Sequence, residues 1–393
     1  MGFRILTLNS ISAQGLARLP PDRYEVASEM PDPDAVLVRS ADMHAMDLSP
    51  SVLAVARAGA GTNNIPVAAL SRRGVAVFNA PGANANAVKE LVLAGMLLAA
   101  RNICQAWDFA RGLAGDDAAL DAAVERGKKS YVGFELPGRT LGVIGLGAVG
   151  VLVANSAAAL GMKVLGYDPQ ITVQRAWQLS SSVQQALSLD DLFTRSELIS
   201  VHVPLLAGTR GLVNAARLRL MRAGGVVLNF ARAPIVVESD VLAALDSGQL
   251  HCYVSDFPSN ALKAHRRAIT LPHLGASTLE AEDNCAVMAA ETLRDFLEHG
   301  NIRNSVNFPE AVLTRQPGCT RIAIVNSNVP NMVGQISTLL AGAGINIAEM
   351  LNRSRGEFAY TLLDAESSLD AALLDRLRAI EGVLTARLVR AAD

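Results

Sequence analysis

Thr140-Leu141-Gly142-Val143-Ile144-Gly145-Leu146-Gly147-Ala148-Val149-Gly150 is the stretch on which the reading of this chain turns. An apolar run of strand type ends at Gly145, and residues 151–160 continue as an apolar helix. In such a strand–turn–helix the three glycines have separate duties. Gly145 permits the tight turn, Gly147 lets a pyrophosphate approach the backbone, and Gly150 lets the helix pack close to the sheet. The free N–H groups of the helix start, near Ala148 and Val149, then face the phosphates. The next strand ends in Tyr167-Asp168-Pro169. A carboxylate there accepts hydrogen bonds from ribose hydroxyls and repels a 2′-phosphate, so the expected cofactor is NAD, not NADP. A glycine pattern alone is weak, its alternative being an ordinary turn without a ligand. The strand, the helix and Asp168 together give it weight.

Outward from this loop, short apolar runs fall at 5–8, 35–38, 52–56 and 75–78, and a second series at 140–144, 163–167, 198–201, 226–229 and 251–255. Runs of Val, Ile and Leu alternating with helical patterns predict parallel α/β sheets, because strands buried on both faces lose the polar alternation. Residues 99–127, rich in Ala and charge, read as a helix between the two series, serving as connector or dimer arm. After Asn307-Phe308-Pro309 the pattern changes. Residues 311–318, with Gln316-Pro317-Gly318, read as a linker. Strands at 321–325, 345–352, 357–363 and 383–389, with helices at 332–340 and 369–380, give the order βαββαβ, which is ferredoxin-like. Its expected core is Ile322, Ile324, Ile336, Leu340, Leu373 and Leu377. So small a sheet leaves an edge, so pairing with a second copy is expected, as is tolerance of its removal.

Composition narrows the partners. Lys and Arg total 35 against 37 Asp and Glu, so no global field draws nucleic acid or an acidic membrane, and an anionic substrate must be met by local arginines. The four cysteines are scattered without a CxxC pair, which argues against a disulfide framework or a metal site and fits a reducing compartment. The opening MGFRILTLNS reads as a strand and not as a signal segment, and the apolar stretch 91–100 is too short to cross a bilayer. A soluble, cytoplasmic protein is expected.

Two further segments suit chemistry. Arg232, in Leu228-Asn229-Phe230-Ala231-Arg232, follows a strand end, where such sheets bind ligands. Its planar fork matches a carboxylate through two parallel bonds. His273, in Leu271-Pro272-His273-Leu274-Gly275, precedes a helix, and an imidazole titrates near working pH, as a group that moves a hydroxyl proton must. Taken singly, a surface ion pair and a helix-start histidine are the alternatives.

Arg57-Ala58-Gly59-Ala60-Gly61-Thr62-Asn63-Asn64-Ile65, Phe78-Asn79-Ala80-Pro81-Gly82-Ala83-Asn84, the glycine loop, Arg232 and Pro272-His273-Leu274-Gly275-Ala276-Ser277-Thr278 occur in this order. Together they resemble the D-isomer-specific 2-hydroxyacid dehydrogenase family over nearly the whole chain. Gly300-Asn301-Ile302, Ser305-Val306-Asn307-Phe308-Pro309 and the tail resemble the branch that oxidises 3-phospho-D-glycerate and carries an ACT domain. The resemblance implies a Rossmann-like NAD domain, 99–285, inserted in a flavodoxin-like substrate domain, 1–98 and 286–312, with a ferredoxin-like ACT domain at 319–393. It implies that Arg232 grips the substrate carboxylate and that His273 is the acid/base. Arg39, Ser40, Arg57 and Gly59 match positions that meet the substrate. His202, Val203, Pro204, Phe230, Ala231, Asp256, Gly275 and Ala276 match the cofactor side, and no metal is implied. Asn328 and Asn346 match asparagines of an effector loop that takes L-serine, Asn326 stands in that loop where some members have histidine, and Asn331 where a glycine is usual. The alternative for these asparagines is that of helix caps and turn formers. A homodimer or homotetramer is implied.

One departure stands out. The family's histidine is held by a glutamate, and Asn260 occupies that place here. An amide can orient an imidazole but does not stabilise its cation as a carboxylate does. Two rivals stay open: another D-2-hydroxyacid dehydrogenase, or, supported by this departure, a non-catalytic NAD-sensing protein on the same scaffold.

Overall fold

The computed structural model describes residues 2–390; Met1 and residues 391–393, the ends of the first and last expected domains, lie outside the described residues. The chain divides into two compact units, Met1–Asn84 with Leu279–Asp393, and Ala85–Thr278. The boundaries expected at 98/99 and 285/286 fall inside two unbroken helices, Ala85–Ala100 and Leu279–His299. Each helix goes whole to one unit, because a helix is one rigid element and divides at its start.

The first unit is built on a parallel sheet of β1 (Phe3–Leu8), β2 (Tyr24–Ala27), β3 (Ala35–Val38), β4 (Ala54–Arg57) and β5 (Ala76–Phe78), in the order β2-β1-β3-β4-β5. This is the flavodoxin-like order. Successive side chains point to opposite faces. Ala35 and Leu37 therefore join one core with Ile5, Ala56 and Phe78, while Val36 and Val38 join another with Val55, Val77 and Met43. Helix Leu279–His299 covers the first of these faces with Ala286, Ala289, Ala290, Leu293, Phe296 and Leu297, at the spacing of a single helical stripe.

The second unit is a seven-stranded parallel sheet: β6 (Thr140–Ile144), β7 (Lys163–Tyr167), β8 (Gln184–Gln185), β9 (Leu198–Val201), β10 (Gly225–Asn229), β11 (Leu250–Ser255) and β12 (Ala268–Thr270). Its order, β12-β11-β10-β9-β6-β7-β8, reverses between β9 and β6, the switch point where doubly wound sheets take their ligands. The edge strands β8 and β12 escape a reading by apolar runs, as does β2, since they are short or partly polar. The single helix expected over 99–127 is instead the end of Ala85–Ala100 followed by Ile103–Arg111 and Asp117–Gly127. Asn102 takes a left-handed conformation (φ 50°) at the first break and Gly115 (φ 126°) at the second. Asp116 then caps the last helix through the Ala119 N–H.

The tail has the expected βαββαβ order: β13 (Thr320–Ser327), helix Met332–Gly342, β14 (Ile347–Arg355), β15 (Phe358–Ala365), helix Ala371–Arg378 and β16 (Val383–Val389). The sheet is antiparallel, ordered β14-β15-β13-β16. All six expected core residues are buried on its helix-covered face. Its other face changes the reading of a removable module on a linker. Ala323, Val325, Tyr360, Leu362 and Val389 are part of the first unit's own core. Tyr360 Oη donates to Gly300 O at 2.6 Å. Arg387 stacks its guanidinium on Phe296 and donates to Phe296 O at 2.5 Å. Leu313, in the expected linker, is buried, and its carbonyl accepts from Arg321 at 2.7 Å. The cause is in the strands: β13 and β15 are apolar at both parities, so both faces must be covered. Among the described residues no helix is long and apolar enough to cross a membrane.

Candidate active site

Strand β6 runs into Gly145, whose φ of 90° suits glycine and whose N–H donates to Tyr167 O at 2.9 Å. A Cβ there would lie 2.6 Å from His202 O, and one at Gly150 would lie 1.9 Å from Gly145 O. Packing thus requires these two glycines. Gly147 differs: its φ is −73°, and a Cβ would meet nothing within 4 Å. The space a side chain would fill lies at the start of helix Ala148–Ala159, which has no side-chain cap. Its first N–H groups, at Ala148, Val149 and Gly150, are therefore open to an anion, and this cradle fits a pyrophosphate.

Asp168 is fixed by two backbone donors, Leu146 N–H to Oδ2 and Gln170 N–H to Oδ1, both at 2.9 Å. It borders a 380 Å³ pocket walled by Leu146, Ile171, Leu179, Val183 and Leu187. Apolar walls beside a carboxylate suit a base and its ribose. With Pro169 and Gln170 next in sequence, no cation follows to meet a 2′-phosphate. NAD is therefore expected to exceed NADP in kcat/KM by on the order of 100-fold. Asp168→Asn, which retains an acceptor for Leu146 N–H, should narrow that gap; equal values in the wild type would refute the assignment.

At the end of β10, Asn229 is fully buried. Its Oδ1 accepts Ala231 N–H at 3.1 Å and its Nδ2 donates to Arg232 O at 3.0 Å, which folds Phe230-Ala231-Arg232 into a fixed turn. Arg232 is exposed, with Nη1 on Ala231 O at 2.6 Å, and has no carboxylate partner among the described residues. Past β11, Asp256 is 1% exposed. Its backbone oxygen accepts His273 N–H at 3.0 Å and its Oδ2 accepts Gly275 N–H at 3.1 Å. Its Oδ1 is buried without a partner, which fits an amide donor on a bound cofactor. Burial pushes the Asp256 carboxyl up, against the Gly275 N–H and the charges of His273 and Arg232. Asp256 thus feels both proposed chemical groups.

His273 is exposed and left-handed, with φ 46°. A non-glycine residue there costs roughly 1–3 kcal/mol of strain, a cost met mainly where the surroundings fix it. Here two backbone acceptors, Asp256 O and Leu271 O, hold its N–H, and Phe257 meets its ring edge-on at 5.2 Å. Among the described residues no carboxylate pairs with it. Asn260 is exposed at the start of helix Asn260–Ala264 and makes no hydrogen bond to it. On the cofactor side, His202 bonds Ser200 Oγ at 2.8 Å, and burial pushes its pKa down to about 4, so it stays neutral. Val203 sits against Gly145, Pro204 O accepts Thr209 Oγ1–H, Phe230 is buried, and Ala276 is exposed.

The residues matched to substrate lie in the first unit. Arg39 pairs with Glu282 of helix Leu279–His299. Arg57 donates to Arg39 O at 3.0 Å and Gly61 O at 2.7 Å. A Cβ on Gly59 would crowd Arg57 Nη1 at 2.8 Å, and Ser40 N–H is held by Asn9 Oδ1. In the tail, Asn326 is buried with Nδ2 on Ser327 O and Oδ1 unpartnered. Asn328 Nδ2 donates to Gly356 O, and Asn346 is exposed. Asn331, at φ 66°, takes the left-handed turn that a glycine would otherwise fill. Sequence reading missed Asn229 and Phe257. Asn229 was findable as a polar residue ending a fully apolar strand, whereas Phe257 carried no signal.

Residues 93–275 match the family model described as D-isomer specific 2-hydroxyacid dehydrogenase, NAD binding domain. The chain is 32% identical over 359 residues to D-3-phosphoglycerate dehydrogenase of Haemophilus influenzae, covering 88% of this chain and 83% of that protein. It is 33% identical over 384 residues to the enzyme of that name from Mycobacterium leprae, covering 93% and 70%. Among solved structures, the apo form of Rhodotorula graminis D-mandelate dehydrogenase shares the fold, with TM-score 0.67 at 24% identity over 80% of this chain and all of that one. An NAD+-bound 3-phosphoglycerate dehydrogenase from Entamoeba histolytica matches with TM-score 0.60 at 25% identity, over 78% of this chain and 99% of that one.

Proposed function

The chain belongs to the D-isomer-specific 2-hydroxyacid dehydrogenase family, NAD-dependent oxidoreductases, and on that premise we propose that it oxidises 3-phospho-D-glycerate to 3-phosphohydroxypyruvate, the first step of serine synthesis. The substrate class follows the relatives named D-3-phosphoglycerate dehydrogenase. The observation that carries the chemistry is Asp256, whose backbone oxygen holds the His273 N–H and whose carboxylate holds Gly275 N–H. NAD, held by the Gly145–Gly150 loop, Asp168 and Asp256, supplies the hydride acceptor when bound. Arg232 grips the substrate carboxylate with a planar fork and so orients C2. His273 accepts the C2 hydroxyl proton during oxidation and returns it during reduction. Consumption of NADH with 3-phosphohydroxypyruvate tests this directly. Turnover should exceed that with glyoxylate or 2-oxoglutarate. A preference for either of those assigns another member of the family, and NADH binding without any turnover assigns the NAD-sensing alternative, which the lack of a carboxylate at His273 favours.

His273→Ala should lower turnover on the order of 100-fold or more while NADH binding stays near wild type. Near-normal turnover would mean that water or another group moves the proton. If Asn260 stands where the supporting carboxylate belongs, Asn260→Glu moves the histidine limb of the kcat/KM profile to higher pH. An unmoved limb assigns the partner elsewhere.

We read the tail as an ACT-type domain on its βαββαβ order, and its asparagines as the place where L-serine binds. Support comes from the unpartnered Asn326 Oδ1 and the exposed Asn346. Serine should lower activity without competing with NADH, and Asn346→Ala should relieve it. Assembly as a homodimer or homotetramer is part of the same proposal.

A further inference from the structure

The cofactor and catalytic residues of the second unit lie beyond the carboxyl ends of its strands. At the opposite, amino ends is a second concavity of 380 Å³ that the proposed reaction does not use. Its wall includes His251, near the start of β11, and Arg266 and Arg267, just before β12. It is completed by Asn102, Gln105 and Tyr131 from the helical segment before β6. Arg266 and Arg267 are exposed, and neither is ion-paired to a carboxylate among the described residues. Arg267 Nη1 lies 3.5 Å from Leu250 O, and two arginines lining one concavity are well suited to an oxyanion.

The wall also presents acceptors. Gln105 Nε2 donates to Arg266 O at 3.0 Å and so ties the backbone before β12 to the helical segment, its own Oε1 being buried away from the concavity. His251 Nε2 lies 3.2 Å from Ala99 O, a carbonyl that only accepts, so Nε2 carries the proton and Nδ1 is left over. The His251 ring is held in place by the edge of Phe134, at 5.8 Å. Asn102 spends its Nδ2 on Val132 O at 3.2 Å and keeps Oδ1. An anion that only accepts would leave these groups unmet. One that carries O–H groups as well satisfies both sets.

We propose that this concavity is a binding site for a phosphate-type oxyanion, inorganic phosphate or a small phosphate monoester, remote from the catalytic groups of its unit. Arg266 and Arg267 provide the charge and the donors, and His251 Nδ1 and Asn102 Oδ1 are the acceptors for a ligand hydroxyl. The test is a titration of the full chain, saturated with NADH so that the cofactor loop is filled, at constant ionic strength. Inorganic phosphate and glycerol phosphate are the probes, with heat of binding and melting temperature as readouts. Both side chains are exposed, so Arg266→Ala/Arg267→Ala should fold normally and keep its basal turnover. Phosphate should bind the wild type saturably, and the double variant at least tenfold more weakly. Arg266→Lys/Arg267→Lys should restore part of the binding. Tighter binding of glycerol phosphate would assign an ester, and tighter binding of phosphate the free anion. A double variant that responds like the wild type overturns the proposal, as does a wild type whose response to phosphate matches chloride.

Discussion

Arg232→Ala should lose about 2–4 kcal/mol of transition-state stabilisation, roughly 30- to 1,000-fold in kcat/KM, while NADH binding and the melting temperature stay near wild type. The size follows from what the side chain does not do in the free protein. Its side chain makes no ion pair among the described residues and donates to the carbonyl of its own neighbour, Ala231. Its removal therefore costs the fold little. The turn that presents it is set by Asn229 through backbone bonds, and these survive the substitution. What is lost is a charge-assisted fork for a carboxylate. Arg232→Lys keeps the charge without the fork and should fall between the two. An Arg232→Ala enzyme within tenfold of wild type would remove Arg232 from the reaction. Asn229→Ala, by contrast, should lower activity and stability together, since it frees the turn and takes the side-chain acceptor from Ala231 N–H, while Arg232 O keeps only the Ile235 N–H.

The ease with which Arg232 was found, and the difficulty with Asn229, follow from where information sits in the chain. Strands β6, β7 and β9 are apolar but for Thr140, Lys163 and Ser200, because sheet neighbours and helices cover both faces, and such runs announce themselves. The glycines at 145 and 150 are dictated by close backbone approach, a local steric demand visible as a local motif. The supports of the site are not local. Asp256 reaches Gly275 across 19 residues, and the His273 backbone is set by contacts with Asp256 and Leu271 that no spacing rule encodes. The tail illustrates a different blindness. Its helix-covered core was legible from periodicity, but Ala323, Val325 and Leu362 are equally apolar on the other face, and a strand buried on both faces does not say what covers it. Arg321 is the sharper case. A charged residue in a strand reads as solvent-facing, and here it is fully buried because its partner lies 43 residues away.

That pair sets the largest stability effect expected of a single side chain. Arg321 Nε and Nη2 reach the two oxygens of Asp364 at 2.7 and 2.8 Å, both residues being fully buried. Nη1 donates to Leu313 O and His299 O, and Gln316 N–H completes Asp364 Oδ2. Asp364→Ala leaves a guanidinium buried without its counter-charge, which costs about 3–5 kcal/mol. A typical domain has only about 5–15 kcal/mol in hand. Replacing both partners, as Arg321→Met/Asp364→Leu, should recover part of the loss, because the desolvation of two charges goes with their attraction, while Leu313 O, His299 O and Gln316 N–H lose their partners. Burial acts to raise the Asp364 carboxyl, but the Arg321 and Gln316 donors and the Arg321 charge outweigh it and hold it below the ordinary carboxylate range. Its stabilisation is therefore present above the unfolded value, about 3.9, and is lost as pH falls through the lower folded value. The wild type should thus lose more stability in strong acid than the apolar double variant does. The same contacts decide truncation near Pro309. Removing the tail uncovers Phe78, Phe296, Leu297 and Ile302 in the shared core and leaves the Phe296, His299 and Gly300 carbonyls without their donors. The truncated chain should aggregate, or melt without a cooperative transition. A truncation that melts cooperatively at the wild-type temperature and keeps its turnover would show that the sheet is an appendage after all.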